Sequence, residues 1–106
     1  MYADQKAYKK WKEELETSCF NNHGDKCSQL AICYFYENKL KKAYARAQKG
    51  CDLNSGEACY HLYDIASALK LKDEALNAEQ KACDLKVFQA CDELAYISKN
   101  GRGSNE

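Results

Sequence analysis

The chain has 106 residues, enough for one domain, and 45% of them are hydrophobic, so a core can form. Sixteen basic and sixteen acidic residues cancel to a formal net charge of zero, which removes any global electrostatic argument for nucleic acid or an anionic membrane. No run of about 18 apolar residues occurs, so no segment reads as membrane-spanning.

The first residues, MYADQKAYKKWKEELE, are charged and helical in pattern and do not read as a secretory leader. Residues 1–18 fit the second half of a repeat unit, with Trp11 in register with Ala43 and Ala75. From Cys19 onward, segments 19–50, 51–82 and a truncated 83–99 align without gaps. Cys19, Cys51 and Cys83 are each 32 residues apart, as are Cys27, Cys59 and Cys91, and every pair has the form C-x7-C. A fixed period of this size means stacked copies of one supersecondary unit.

In unit one, helix A is predicted from Lys26 to Tyr36, because Cys27, Leu30, Ala31 and Tyr34 fall at i, i+3, i+4 and i+7. Helix B follows from Leu40 to Gly50, with Ala43 and Ala47 aligned. NNHGD in unit one and LNSGE in unit two supply turn residues. Unit two repeats the plan with Cys59, Leu62, Tyr63 and Ala66, then Ala75 and Ala78; unit three offers Cys91, Leu94, Ala95 and Ser98. Small residues recur where helices must approach closely: Ala43 matches Ala75, and Gly50 matches Ala82. A lone helical hairpin cannot bury its apolar faces, whereas stacked neighbours share a continuous core. The expected fold is therefore all-α, a short α/α solenoid of hairpins over a single domain 1–99. The tail 100–106, NGRGSNE, is expected to be flexible.

Seven cysteines in so short a chain are many, and small domains with paired cysteines come mostly from oxidising compartments. The pairs read as disulfides or as buried reduced thiols. Cys19, His23 and Cys27 have metal-ligating atoms, but Ser55 and Val87 stand at the equivalents of His23, and the C-x2-C spacing of zinc knuckles is absent. No metal or other cofactor is expected. Cys33 occupies the position of Ile65 and Ile97, which suits a small buried hydrophobe. The sharper reading is a reactive or intermolecular thiol.

KAYARAQKGCDL and EALNAEQKACDL, each followed by an A-C-x2-L step, resemble the Sel1-like repeat over about residues 8–99. The similarity is greatest to its cysteine-rich branch, as in the Helicobacter cysteine-rich proteins. The resemblance implies a right-handed stack of Sel1- and TPR-like hairpins with disulfides Cys19–Cys27, Cys51–Cys59 and Cys83–Cys91. Closing a nine-residue loop would contribute about 2.6 kcal/mol per bond in the chain-entropy model. A periplasmic or secreted protein is expected if these bonds form, and a cytoplasmic one if they do not. Most Sel1-like proteins are adaptors or recognition modules, so the resemblance also implies a protein partner.

A catalytic set is not legible. Of the two histidines, His61 follows Cys59 by two residues and so points to another side of its helix. Ser67-Ala-Leu-Lys70 matches an S-x-x-K signature, but no S-D-N or K-T-G accompanies it, and no Gly-rich phosphate loop is present. Some cysteine-rich relatives are described as weak β-lactam binders or hydrolases, which makes that the enzyme alternative.

Positions that vary between units are released from packing. On helix A these are Ser28/Tyr60/Asp92, Gln29/His61/Glu93, Ile32/Asp64/Tyr96 and Phe35/Ser67/Lys99, and residues 28, 32 and 35 fall on one face. The expected partner-binding residues are Ile32, Phe35, Tyr60, His61, Asp64 and Tyr96, although a solvated face would vary in the same way. Charge is uneven too: Lys39, Lys41, Lys42, Arg46 and Lys49 cluster in unit one, and later units are acidic. That mixture argues against nucleic acid. The expected function is non-enzymatic protein binding by a chain that is monomeric on its own, concretely a bacterial immunity or inhibitor protein that occludes a toxin or secreted enzyme. A third class is a redox or assembly factor using Cys33.

Overall fold

The computed structural model describes residues 2–96, so the expected tail, Ser98 and Lys99 lie outside the described residues. Six α-helices follow one another: α1 (Tyr2–Phe20), α2 (Gly24–Tyr36), α3 (Leu40–Asp52), α4 (Gly56–Ala68), α5 (Lys72–Asp84) and α6 (Phe88–Tyr96). Each packs on its sequence neighbours, and α2 also contacts α4. The result is an all-α repeat stack, elongated to 52 × 25 × 19 Å. In terms of the repeat, α2, α4 and α6 are A helices, and α1, α3 and α5 are B helices.

Five identical turns set the spacing. Asn22, Asn38, Asn54, Lys70 and Lys86 all lie in the left-handed region, with φ between 62° and 76°. They recur every 16 residues, so the 32-residue sequence period is two equal structural steps. Each turn carries the same pair of backbone bonds. In the second, Asn38 N–H donates to the Phe35 carbonyl (3.0 Å) and Lys39 N–H to the Tyr34 carbonyl (2.9 Å). This is a Schellman cap, which satisfies the last carbonyls of a helix. The residue after the left-handed one then serves as N-cap of the next helix. Only Ser55 caps with its side chain, accepting from Ala58 N–H (3.2 Å) while donating to Asp25 Oδ1 across the stack (2.8 Å). No described glycine adopts positive φ. Gly50 is needed for space instead: a Cβ there would lie 2.6 Å from that of Ala58 and 2.9 Å from the Gly24 carbonyl oxygen.

The core is narrow and made mostly of small side chains. Fully buried positions include Ala31, Ala43, Ala47, Ala58, Ala66, Ala82 and Ala90, with Leu30, Ile65 and the cysteines supplying bulk. Three disulfides, Cys19–Cys27, Cys51–Cys59 and Cys83–Cys91, join each B helix to the following A helix, with Cα separations of 4.6, 4.5 and 4.7 Å. The α2–α3 and α4–α5 hairpins have no such link and are held by packing. Cys33 is the free cysteine and is buried, as Ile65 is at the same repeat position.

Two carboxylates fasten the N-terminal helix. Glu16 accepts from the Tyr34 hydroxyl and from Arg46 Nε (3.1 Å), linking α1, α2 and α3. Glu37 accepts from the Tyr8 hydroxyl (2.6 Å) and Lys12 Nζ (2.7 Å), and Lys39 stands 3.4 Å away.

Three packing expectations need correction. Trp11 is 43% exposed, although its register partners Ala43 and Ala75 are buried; no described hairpin precedes α1 to cover it. Ser28, expected on the open face with Ile32 and Phe35, is fully buried, because it follows Cys27 at the crosslinked end of α2. In α6, Leu94 is half-buried and Ala95 exposed, since no described helix follows to cover them.

Replacing Cys51 and Cys59 together by alanine should lower unfolding stability in urea by about 2–3 kcal/mol, as the loop-closure argument requires. Lys70→Gly should act in the opposite direction. It removes a left-handed penalty of about 1 kcal/mol and should raise the urea midpoint at unchanged slope.

Candidate interaction surface

The helical spacing of α2 puts Gln29, Ile32, Cys33 and Tyr36 along one side and Phe35 beside it. Two adjoining concavities flank this ridge. The first, of about 140 Å³, lies between α2 and α4 and is lined by Ile32, Phe35, Tyr36, His61, Asp64 and Ile65. The second, of about 610 Å³, lies between α1 and α2 and is lined by Tyr8, Trp11, Gln29, Ile32, Cys33, Tyr36 and Glu37. Ile32 and Tyr36 belong to both, so the two form one groove across three helices. Its walls are mainly apolar, and Tyr36 is 82% exposed. The Phe35 and Tyr36 rings meet edge to face with centroids 6.0 Å apart.

Four of the six expected binding residues, Ile32, Phe35, His61 and Asp64, therefore come together. The other two do not. Tyr60 is half-buried, with its ring beside Tyr63 (5.9 Å) and its hydroxyl donating to Glu93 Oε2 on α6 (2.8 Å). Tyr96 is exposed on α6, away from the groove linings. Sequence comparison between units passed over Tyr8, Trp11, Tyr36 and Glu37. Trp11 shares its register with packed alanines of the other units. A better signal was available in the density of aromatics in the first 36 residues.

Electrostatics divide the groove. On the α1 side Glu37 is held down to about 2 by its bonds to Lys12 and Tyr8, so it is a neutralised carboxylate. Asp64 is exposed, but partial desolvation against the α4 side raises it, and Glu93 raises it further against the opposing pull of His61. Burial lowers His61, which favours the neutral ring. Behind them lies Glu79, fully buried on α5 at the repeat position of Leu15 and Ala47. Neither of its oxygens has a hydrogen-bond partner within the described residues. Burial pushes it up to about 7, helped by Glu93 and Asp64. A buried carboxyl without a cation is relieved by keeping its proton.

Other residues with chemical potential stay apart. Ser67 and Lys70 share a shallow cleft with Tyr63, Lys72, Ala75 and Leu76, but no hydrogen bond joins their side chains. His23 lies at a turn with Nδ1 3.2 Å from the Ser18 carbonyl oxygen. Among the described residues no group of three His, Cys, Asp or Glu side chains is placed to hold a metal ion. No described helix is long and apolar enough to cross a membrane. Compared with protein-family models, with curated proteins and with solved structures, the chain shows no match.

The two displaced carboxyls act on stability in opposite senses. Glu37, lowered from 4.5 to about 2, stabilises the fold above pH 4.5, and that contribution is lost as pH falls towards 2. Glu79, raised from 4.5 to about 7, favours the fold fully below pH 4.5, and its contribution is lost as pH rises through 7. Thermal midpoints should therefore peak in mildly acidic buffer. Glu79→Gln should flatten the neutral-to-alkaline decline, and Glu37→Gln the acidic one.

Proposed function

We propose that the chain is a non-enzymatic protein-binding repeat module that docks a partner in the groove formed by α1, α2 and α4. One observation carries this reading: the groove exposes Trp11 and Tyr36 beside Ile32 and Phe35 in a domain whose core is built mostly of small side chains. Large aromatics are costly to leave in water and useful as interface anchors. The scaffold is suited to the task, because short turns and crosslinks hold the groove-forming helices in place before any partner arrives. Preorganisation of this kind reduces the ordering cost of association.

Three disulfides fit an oxidising setting. Within that reading we favour an exported inhibitor or immunity protein, a small cap that occludes a toxin or secreted enzyme. Sel1-like ancestry is part of the same proposal, supported by the 32-residue units and their helical hairpins.

A photo-crosslinking amino acid at position 36 should give one defined protein adduct in cells that make the protein. The same probe at position 80, on the exposed face of α5, should give none. Equal labelling from both positions, or none from position 36, would remove the groove as a docking site. Tyr36→Ala should weaken binding of the captured partner by roughly tenfold or more, the scale of an anchoring aromatic.

A further inference from the structure

We infer that the smaller concavity is a receptor for one arginine side chain of the docked protein, with a neighbouring large apolar side chain of the same segment in the larger one. The inference rests on the docking reading above and specifies its partner's chemistry.

Size comes first. A space of about 140 Å³ admits a single side chain and excludes a helix. Its walls are Ile32, Phe35, Tyr36 and Ile65, and its polar groups are Asp64 and His61. A long side chain with an apolar stem and a cationic head matches this distribution, the stem lying along the walls and the head staying at the rim. Asp64 sits where that head would arrive. It is exposed, and it makes no hydrogen bond or ion pair with another described residue. Its charged neighbours add to the demand. Glu93 adds negative charge beside Asp64, and His61, whose neutral ring is favoured, does not offset it. Glu79, outside the lining of the concavity, keeps its proton against Glu93 and so brings no cation to this side. The α1 side does not compensate, because Lys12 and Lys39 are committed to Glu37.

Arginine fits better than lysine. The Phe35–Tyr36 pair presents aromatic surface at the same rim, and a planar guanidinium can stack there while forming paired bonds to a carboxylate. A bare metal ion fits worse, since no three ligating side chains converge among the described residues. The larger concavity shares Ile32 and Tyr36 with the smaller, so the apolar residue and the arginine must be near neighbours on the partner's surface.

The test uses capped hexapeptides in a Gly-Ser background, each with one leucine and one arginine separated by one to four positions. A matched set carries citrulline for arginine, and another carries alanine for leucine. Trp11 is the only tryptophan and lines the larger concavity, so its fluorescence reports binding directly. At least one arginine–leucine spacing should bind roughly tenfold more tightly than its citrulline match. Asp64→Asn should abolish that difference while leaving the leucine-dependent signal, and Asp64→Lys should turn the preference towards a glutamate peptide. Equal binding of arginine and citrulline peptides would overturn the arginine site and leave the docking groove standing. Silence from every peptide, with the position-36 crosslink intact, would likewise overturn this inference alone. Loss of both would remove the groove itself.

Discussion

A left-handed residue every sixteen positions governs this molecule. Each Schellman turn satisfies the end of one helix and hands the chain to the next within three residues. That limits the four central helices to 13 residues and brings consecutive axes close together. Asparagine meets the conformational demand at three turns and lysine at two, so the geometry is repeated even where the residue best suited to it is missing. The glycines are spent elsewhere. Gly50 allows two helices to touch where a methyl group would collide with Ala58.

Close spacing has a consequence for energetics. Helices this near one another can bury alanine and cysteine but few large side chains, so each interface removes little apolar area from water. The crosslinks offset the deficit by restricting the unfolded chain, and they fall at the turns between hairpins, where α1 meets α2, α3 meets α4 and α5 meets α6. Ser55 adds a polar tie across the same region by capping α4 and reaching back to Asp25. The aromatic residues that the narrow core cannot hold are displaced outward, and several collect along α1 and α2. The groove between α1, α2 and α4 is thus a by-product of the same close packing. Glu79 shows the reverse case, a polar residue retained inside at a position filled by Leu15 and Ala47 in the other units.

Much of the fold was legible because repetition is a property of sequence. The cysteine ruler located the units, and apolar spacing placed the A and B helices to within about two residues. The pairing of cysteines came by resemblance, and the structure brings the same partners together. The half-period was not legible, since Asn22, Asn38 and Asn54 share no residue type with Lys70 and Lys86. Only the backbone reveals that all five do the same work. Register also misled where a unit lacks a neighbour: Trp11 aligns with Ala43, yet it is exposed at an uncovered end of the stack. Ser28 varied between units as a surface position would, and it is buried.

The sequence by itself determined the helical class, the 32-residue repeat and most inward positions of α2 to α5, because these follow from local spacing. The assembly of Ile32, Phe35, His61 and Asp64 with Trp11 and Tyr36 into adjoining concavities was decided by tertiary structure alone. Those residues come from three helices, and their meeting depends on how far each turn rotates one helix against the next. The same holds for the charge balance of the groove. Lys12 neutralises Glu37 only because α1 returns along α2, and Asp64 faces Glu93 only because α6 stacks beside α4.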